Sequence, residues 1–220
     1  MNYFAHGRRF LQDAGLLAGT AVPDWLSVVN RKVRARSRMA KVFVDDRDPH
    51  LAAVARGIVQ HHHDDGWFHQ TRAFTELSWQ FTVEIRHRLV PDDGFRPSFL
   101  GHILVELLLD ASLIESHPRR LDEYYSVMDA LDAPRVAEAV ALITGQSVEP
   151  LAAFIPRFSA ERFLYDYLDD GKLLTRLNHV MRRVGLPALP ASLAEFFPEA
   201  RQAVEGRRSE LLAGEAAPAD

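Results

Sequence analysis

Apolar residues recur along the chain at intervals of three and four. Leu51, Val54, Ala55, Ile58 and Val59 fall on one side of an α-helix, and so do Phe74, Leu77, Phe81, Ile85 and Leu89. From Phe99 to Ile114 the sequence is almost continuously apolar, broken by His102, Glu106, Asp110 and Ser112. That stretch is too long for a strand and predicts a helix buried on most sides. Helix starts are signalled at Asp48-Pro49, Arg96-Pro97-Ser98, Asp132-Ala133-Pro134 and Ser159-Ala160-Glu161-Arg162, and stops at Gly94, Gly145 and Gly185-Leu186-Pro187. No segment alternates as a strand would, and no hairpin signal stands out. The pattern predicts an all-α, single-domain multi-helix bundle of about eight to ten helices with short connections. The domain covers residues 1–212, and residues 213–220 read as a disordered tail.

Composition narrows the chemistry. A chain of 220 residues that is 47% hydrophobic can bury a full core. A formal charge of −4 and a pI near 6.2 argue against general nucleic-acid binding, which uses a basic excess. With no cysteine, disulfides and thiolate metal sites are excluded. A metal would have to be held by His, Asp and Glu, which suit zinc, iron, manganese or magnesium. Ten histidines are present, and several cluster. Arg8-Arg9-Phe10-Leu11, with the apolar run to Val22, looks superficially like a twin-arginine export signal, but Asp13 interrupts the run and no cleavage site follows. No uninterrupted apolar run approaches the roughly 20 residues of a membrane span. A cytoplasmic location is the expectation.

Two stretches carry titratable residues at one unusual spacing. In Gln60-His61-His62-His63-Asp64-Asp65-Gly66-Trp67-Phe68-His69, the residues His61, Asp65 and His69 are four apart and share a face if the helix runs through Gly66. In the second apolar stretch His102, Glu106 and Asp110 repeat the step. A metal takes ligands from one face of each of two or more packed helices, and His paired with His or a carboxylate at i, i+4 is the helical spacing of zincins. Two such faces opposed would enclose a mononuclear or dinuclear centre, a metal site between helices. Burying ionised carboxylates unpaired is costly, so the groups on the second stripe must be paired, hydrogen-bonded or metal-bound. The alternative to a metal is a buried ring of salt bridges with Arg72, Arg86 or Arg88. Consecutive His61, His62 and His63 cannot all face inward, and taken alone they also fit a surface patch. His6 and Asp24 are further candidates, although an Asp between Pro23 and Trp25 is ordinarily a helix cap.

Met1-Asn2-Tyr3-Phe4-Ala5-His6, then Gly19 and Asp24, then Gly57-Ile58 followed by His61 and Asp65, resemble the acyl carrier protein phosphodiesterase family, also described as distorted HD-type metal-dependent phosphohydrolases. Phe99 to Leu104, with His102, sits where that family has an Asp-His pair on a helix. The similarity continues through Phe163-Leu164, Tyr167, Leu174 and Leu177 to Glu195-Phe196-Phe197-Pro198, and so spans almost the whole chain. It implies an HD-domain-like helical fold and manganese-dependent hydrolysis that releases the phosphopantetheine arm from acyl carrier protein. It also implies His6, Asp24, His61, Asp65 and His102 as metal ligands. One departure is Gly101, which stands where the family has the Asp of its dyad; Glu106, a turn further on, is placed to supply a carboxylate instead. The extra His62, His63 and Asp64 are a second departure.

The expectation is therefore a metal-dependent hydrolase of a phosphodiester or phosphomonoester, with His6, Asp24, His61, Asp65, His102 and Glu106 as the metal set. Manganese is the first expectation for the ion, with iron, zinc or magnesium as alternatives. Asp65, His69 and Asp110 form the expected catalytic set, the last two shuttling a proton or orienting a ligand histidine. Arg72 and Arg86 are candidate phosphate clamps. The expected partner is a small phosphorylated molecule or a phosphopantetheinylated carrier protein, with no nucleic acid and no membrane. The basic run from Arg31 to Lys41 suits an acidic partner or is a solvated helix face. Two other readings keep the helices. A di-iron redox protein would favour the Glu-x-x-His step that this chain lacks. A non-catalytic metal-binding protein would have lost activity with the dyad Asp.

Overall fold

The computed structural model describes residues 1–89 and 94–215, and within them every regular element is helical. In chain order the helices are α1 (Tyr3–Gly7), α2 (Ala14–Val29), α3 (Ser37–Ala40), α4 (Pro49–Phe68), α5 (Arg72–Arg88), α6 (Pro97–Ser116), α7 (Pro118–Asp129), α8 (Ala133–Thr144), α9 (Glu149–Glu161), α10 (Asp170–Arg183), α11 (Phe197–Gly206) and α12 (Arg208–Leu211). Short 3-10 turns cover Lys41–Phe43, Phe163–Leu168 and Ala191–Phe196. Of the expected tail, residues 216–220 lie outside the described residues. Residues 213–215 follow α12 as a turn, with Ala213 N–H donating to Glu210 O and Gly214 lying against the Trp67 ring.

Local chemistry explains most boundaries. Asp13, Thr71, Asp132 and Asp169 each accept a hydrogen bond from a backbone N–H in the first turn of the helix that follows. Gly145 and Gly185, at φ 66° and 73°, close α8 and α10 in the left-handed region. One expected start is overturned. Ser159 to Arg162 ends α9 rather than opening a helix, because the Ser159 hydroxyl donates to Asp129 Oδ1 at 2.5 Å and caps nothing. Arg162 then turns the chain at φ 47°.

The described chain divides into two compact units. The first comprises Tyr3–Gly66 and His117–Arg162. Its core holds Phe4, Leu17, Val22, Trp25, Leu26, Ile58, Tyr124 and Tyr125, all fully buried. Trp25 and Tyr3 both pack on Phe158, and Phe4 meets Tyr124 edge-on. The apolar run that follows Arg8-Arg9 is thus core helix α2. At the centre of the unit α2 crosses α4 with the two backbones in contact. A Cβ on Gly19 would collide with the Val54 carbonyl oxygen and lie 2.8 Å from Gly57 Cα. A Cβ on Gly57 would collide with the Leu16 carbonyl oxygen and lie 2.6 Å from Gly19 Cα. Only two glycines permit this approach.

The second unit comprises Met1–Asn2, Trp67–Ser116 and Phe163–Glu215. Here α5 packs along α6, and α11 and the Phe163–Leu168 turn cover the rest of α6. Phe81, Val105, Leu109, Phe196, Phe197, Val204 and Leu211 are fully buried in it. At 20 residues α6 is, by length and composition, apolar enough to cross a membrane, although His102, Glu106 and Asp110 interrupt its apolar run. Its most apolar window is 67% buried inside the protein, so those side chains are spent on the core.

The glycine crossing predicts a contrast between substitutions in one helix. Gly57→Ala should destabilise the protein by about 1–3 kcal/mol, through overpacking against backbone that cannot yield. Gly66→Ala, where a Cβ meets nothing within 4 Å, should stabilise it by roughly 0.5–1 kcal/mol. Chemical denaturation of the two variants checks this, and equal midpoints would refute the crossing.

Candidate metal centre

In the first unit the crossing of α2 and α4 brings His61 against the middle of α2. The Thr20 carbonyl lies 2.8 Å from His61 Nδ1. A carbonyl only accepts, so Nδ1 carries the hydrogen, and in the neutral imidazole Nε2 presents its lone pair. That lone pair faces Asp65 Oδ2, one turn along α4, at 3.3 Å. His6, on α1, stacks on His61 with ring centroids 4.2 Å apart. Its Nε2 faces the other oxygen, Asp65 Oδ1, also at 3.3 Å. His6 Nδ1 points to Asp64 Oδ2 at 3.5 Å. His6 is fully buried, and neither ring nitrogen reaches hydrogen-bond geometry.

These separations fit a cation better than hydrogen bonds. Two ligands each ~2.1 Å from a tetrahedral ion stand ~3.4 Å apart, whereas N–H···O bonds cluster near ~2.9 Å. Ligand atoms of His6, His61 and Asp65 all lie within 4.8 Å of one another. The charges agree. Burial pushes the half-buried Asp24 carboxyl up, and the nearby His61 and His6 draw it only part of the way back. Burial opposes ionising Asp65 too, but its contacts with His6 and His61 outweigh that and hold it far below the usual carboxylate range. Burial would lower His61, but Asp65 and Asp24 outweigh it and raise the imidazole. Asp24, Asp64 and Asp65 gather around two imidazoles and Arg9. With the imidazoles neutral, that leaves an excess of negative charge that one divalent ion would cancel.

The second unit holds a separate group. His69 Nε2 lies 2.8 Å from Glu106 Oε1, and His102 Nε2 lies 3.2 Å from the same oxygen. The Met1 amino group stands 3.3 Å from it. Burial opposes ionising Glu106, but the Met1 amine and the two imidazoles hold it well below the carboxylate range. Phe74 packs on both His rings. Asp110 is fully buried and belongs to neither group; Asn2 Nδ2 donates to its Oδ2 at 3.0 Å and to the Tyr167 hydroxyl at 3.2 Å.

Within each unit the structure gathers a group of the expected residues. His6, His61 and Asp65 come together with Asp24 in electrostatic reach, while His102 and Glu106 sit with His69. The reason is local. Helix α4 does run through Gly66 but ends at Phe68, so His69 lies in the following turn and leaves the face of His61 and Asp65. The His102 stripe is not uniformly buried either: the His102 side chain is 44% exposed and only Asp110 is sealed. The arginines considered as partners are committed elsewhere or face solvent. Arg72 pairs with Glu76 at 2.6 Å, Arg88 with Glu84 at 2.5 Å, and Arg86 is exposed. Within the basic run residues 33–36 lie outside any helix, with Arg34 and Arg36 exposed and Val33 and Ala35 buried, and His62 Nε2 bonded to Ala35 O at 2.7 Å. His63 faces solvent.

Sequence reasoning undervalued Asp64. It is buried, receives Gln60 Nε2 at 2.8 Å, and backs His6 from the side opposite Asp65. Adjacent helical residues point about 100° apart, so two consecutive carboxylates can flank one imidazole approaching from another helix. Gly101 has an equally physical cause. A Cβ there would lie 2.7 Å from Ser78 O and 2.7 Å from Thr82 Oγ1, and 2.9 Å from the Thr82 nitrogen. The α5–α6 crossing leaves no space for the Asp that the resembled family carries. No family, characterised protein or solved structure matches the chain in comparison.

Gly101→Asp should therefore fail to rebuild a dyad. It should instead lower stability by at least ~1–3 kcal/mol as α5 is pushed away. A melting temperature equal to that of the wild type would contradict this packing.

Proposed function

We propose that the protein is a metal-dependent phosphoester hydrolase whose ion is held by His6, His61 and Asp65, with Asp24 completing the set. The observation that carries the reading is His61. Its Nδ1 is committed to the Thr20 carbonyl at 2.8 Å, so in the neutral ring that a metal would bind, the Nε2 lone pair is aimed at a carboxylate 3.3 Å away. Two electron-rich groups set face to face in a buried site call for a cation between them. A backbone carbonyl behind one ligand imidazole and a carboxylate behind the other, Asp64 behind His6, are the supports that ligating histidines use.

Bound there, a divalent ion supplies Lewis acidity and brings the pKa of a coordinated water toward neutrality. The chain's own residues supply orientation and charge. The Thr20 carbonyl fixes the tautomer of His61, stacking on His6 fixes its plane, and the ionised Asp65 offers one oxygen to each ring. Asp65 is 30% exposed at its side chain, so the cluster reaches solvent on that side. A donor set of two imidazoles and hard carboxylates suits manganese, with iron, zinc and magnesium also compatible. The resemblance to acyl carrier protein phosphodiesterases supports phosphoester substrates: a small phosphorylated molecule, or a phosphopantetheinylated carrier protein meeting the exposed basic strip at Arg34 and Arg36. Neither Arg72 nor Asp110 has a place in this reading, and His69 takes no part in it.

Hydrolysis of bis-p-nitrophenyl phosphate, and release of phosphopantetheine from carrier protein, should appear with manganese and vanish on chelation. His61→Ala should lower kcat/KM at least ~100-fold, beyond the loss typical of an outer-sphere partner. Activity that survives chelation, or that His61→Ala leaves intact, sinks the proposal. Saturating manganese should also raise the melting temperature of the wild type and not that of His61→Ala, since an ion that binds only the folded site stabilises it by mass action.

A further inference from the structure

We propose that His69, His102 and Glu106 form a second metal site, selective for a zinc-class ion and open to an exchangeable ligand. The site goes beyond the hydrolytic centre and uses none of its residues.

Three observations carry it. The first is convergence. His69 Nε2 and His102 Nε2 both point at Glu106 Oε1, at 2.8 Å and 3.2 Å, and the three ligand atoms lie within 4.8 Å of one another. His102 and Glu106 are one helical turn apart on α6, and His69 arrives from the turn after α4. Two imidazoles and one glutamate are the donor set of open zinc sites, in which the fourth position is left to water or substrate.

The second is preorganisation. Phe74 packs on both rings, at 4.8 Å from His69 and 4.9 Å from His102, and Phe68 adds a contact to His69 at 5.4 Å. The ring centroids of His69 and His102 are 4.8 Å apart. Apolar neighbours hold both imidazoles in place, with both Nε2 atoms turned to the Glu106 carboxylate. The Met1 amino group, on the same Glu106 oxygen at 3.3 Å, acts as an outer partner that steadies the carboxylate.

The third is access. The side chains of His69 and His102 are 32% and 44% exposed, while that of Glu106 is only 16% exposed. The carboxylate forms the floor, and the open side belongs to solvent. The first cluster differs in both respects, being carboxylate-rich and built on a fully buried His6. With two nitrogens to one oxygen, the second cluster favours borderline ions such as zinc over manganese or magnesium.

A salt-bridge reading of the same residues makes a different prediction. If Glu106 only accepts hydrogen bonds from two histidines and an amine, removing one imidazole changes no metal stoichiometry. The test is calorimetric titration of the whole protein with zinc alone, repeated with His102→Ala, with His69→Ala/His102→Ala and with His61→Ala. Circular dichroism and melting curves verify that each variant folds; His102 is half-exposed, so its loss should leave the fold intact. The wild type should bind two equivalents and each variant one, with zinc at the altered site at least ~100-fold weaker. Cobalt loaded into His61→Ala should give a tetrahedral visible spectrum that His61→Ala/His102→Ala lacks. The proposal is overturned if His102→Ala keeps the wild-type stoichiometry, or if the cobalt signal survives the second substitution. Should the first site alone be wrong, His61→Ala would bind as the wild type does while His102→Ala still loses one equivalent.

Discussion

Contact between two glycines sets the geometry on which the buried polar cluster depends. Gly19 and Gly57 let α2 and α4 touch backbone to backbone, a separation that any side chain would prevent. At that separation the Thr20 carbonyl reaches His61 Nδ1 at 2.8 Å. A helix pair packed over ordinary side chains stands ~8–10 Å apart between axes, and a carbonyl on one would not reach an imidazole Nδ1 on the other so directly. The tautomer of His61 is therefore a consequence of packing. Through it the packing decides where a lone pair points, and so what can bind.

The same logic runs through the second unit with a different outcome. Gly101 brings α6 against α5 at Ser78 and Thr82, which leaves no room for a side chain at that position. Glu106, one turn beyond His102, is the nearest residue on that face able to offer a carboxylate. The polar residues of α6 then divide by depth. His102 and Glu106 lie where the helix meets solvent, whereas Asp110 is sealed and held by Asn2. A single periodic stripe in sequence has become one open cluster and one buried hydrogen bond.

The two groups also differ in how they manage charge. Around His6 and His61 the carboxylates outnumber the cations, and burial keeps Asp24 from ionising easily. Burying like charges together is costly unless something positive joins them. Around Glu106 two imidazoles and an amine surround one carboxylate, and burial is shallower. A hard, carboxylate-rich pocket and an imidazole-rich, half-open one would suit different ions.

By itself the sequence determined the helical class, most helix boundaries and the residue types able to hold a metal. Helical periodicity, prolines at first turns, capping Asp and Thr, and left-handed glycines are local signals that need no partner to act. It also placed His61 with Asp65, and His102 with Glu106, because a four-residue step puts two side chains on one helical face wherever that helix lies. Only the tertiary structure decided which faces meet. The turn after α4 set His69 against Glu106, and the fold set Asp64 behind His6. The glycines at 19, 57 and 101 are contact points between helices. Those outcomes depend on distances between segments far apart in the chain, which side-chain volume at the crossings controls and periodicity along one helix does not encode.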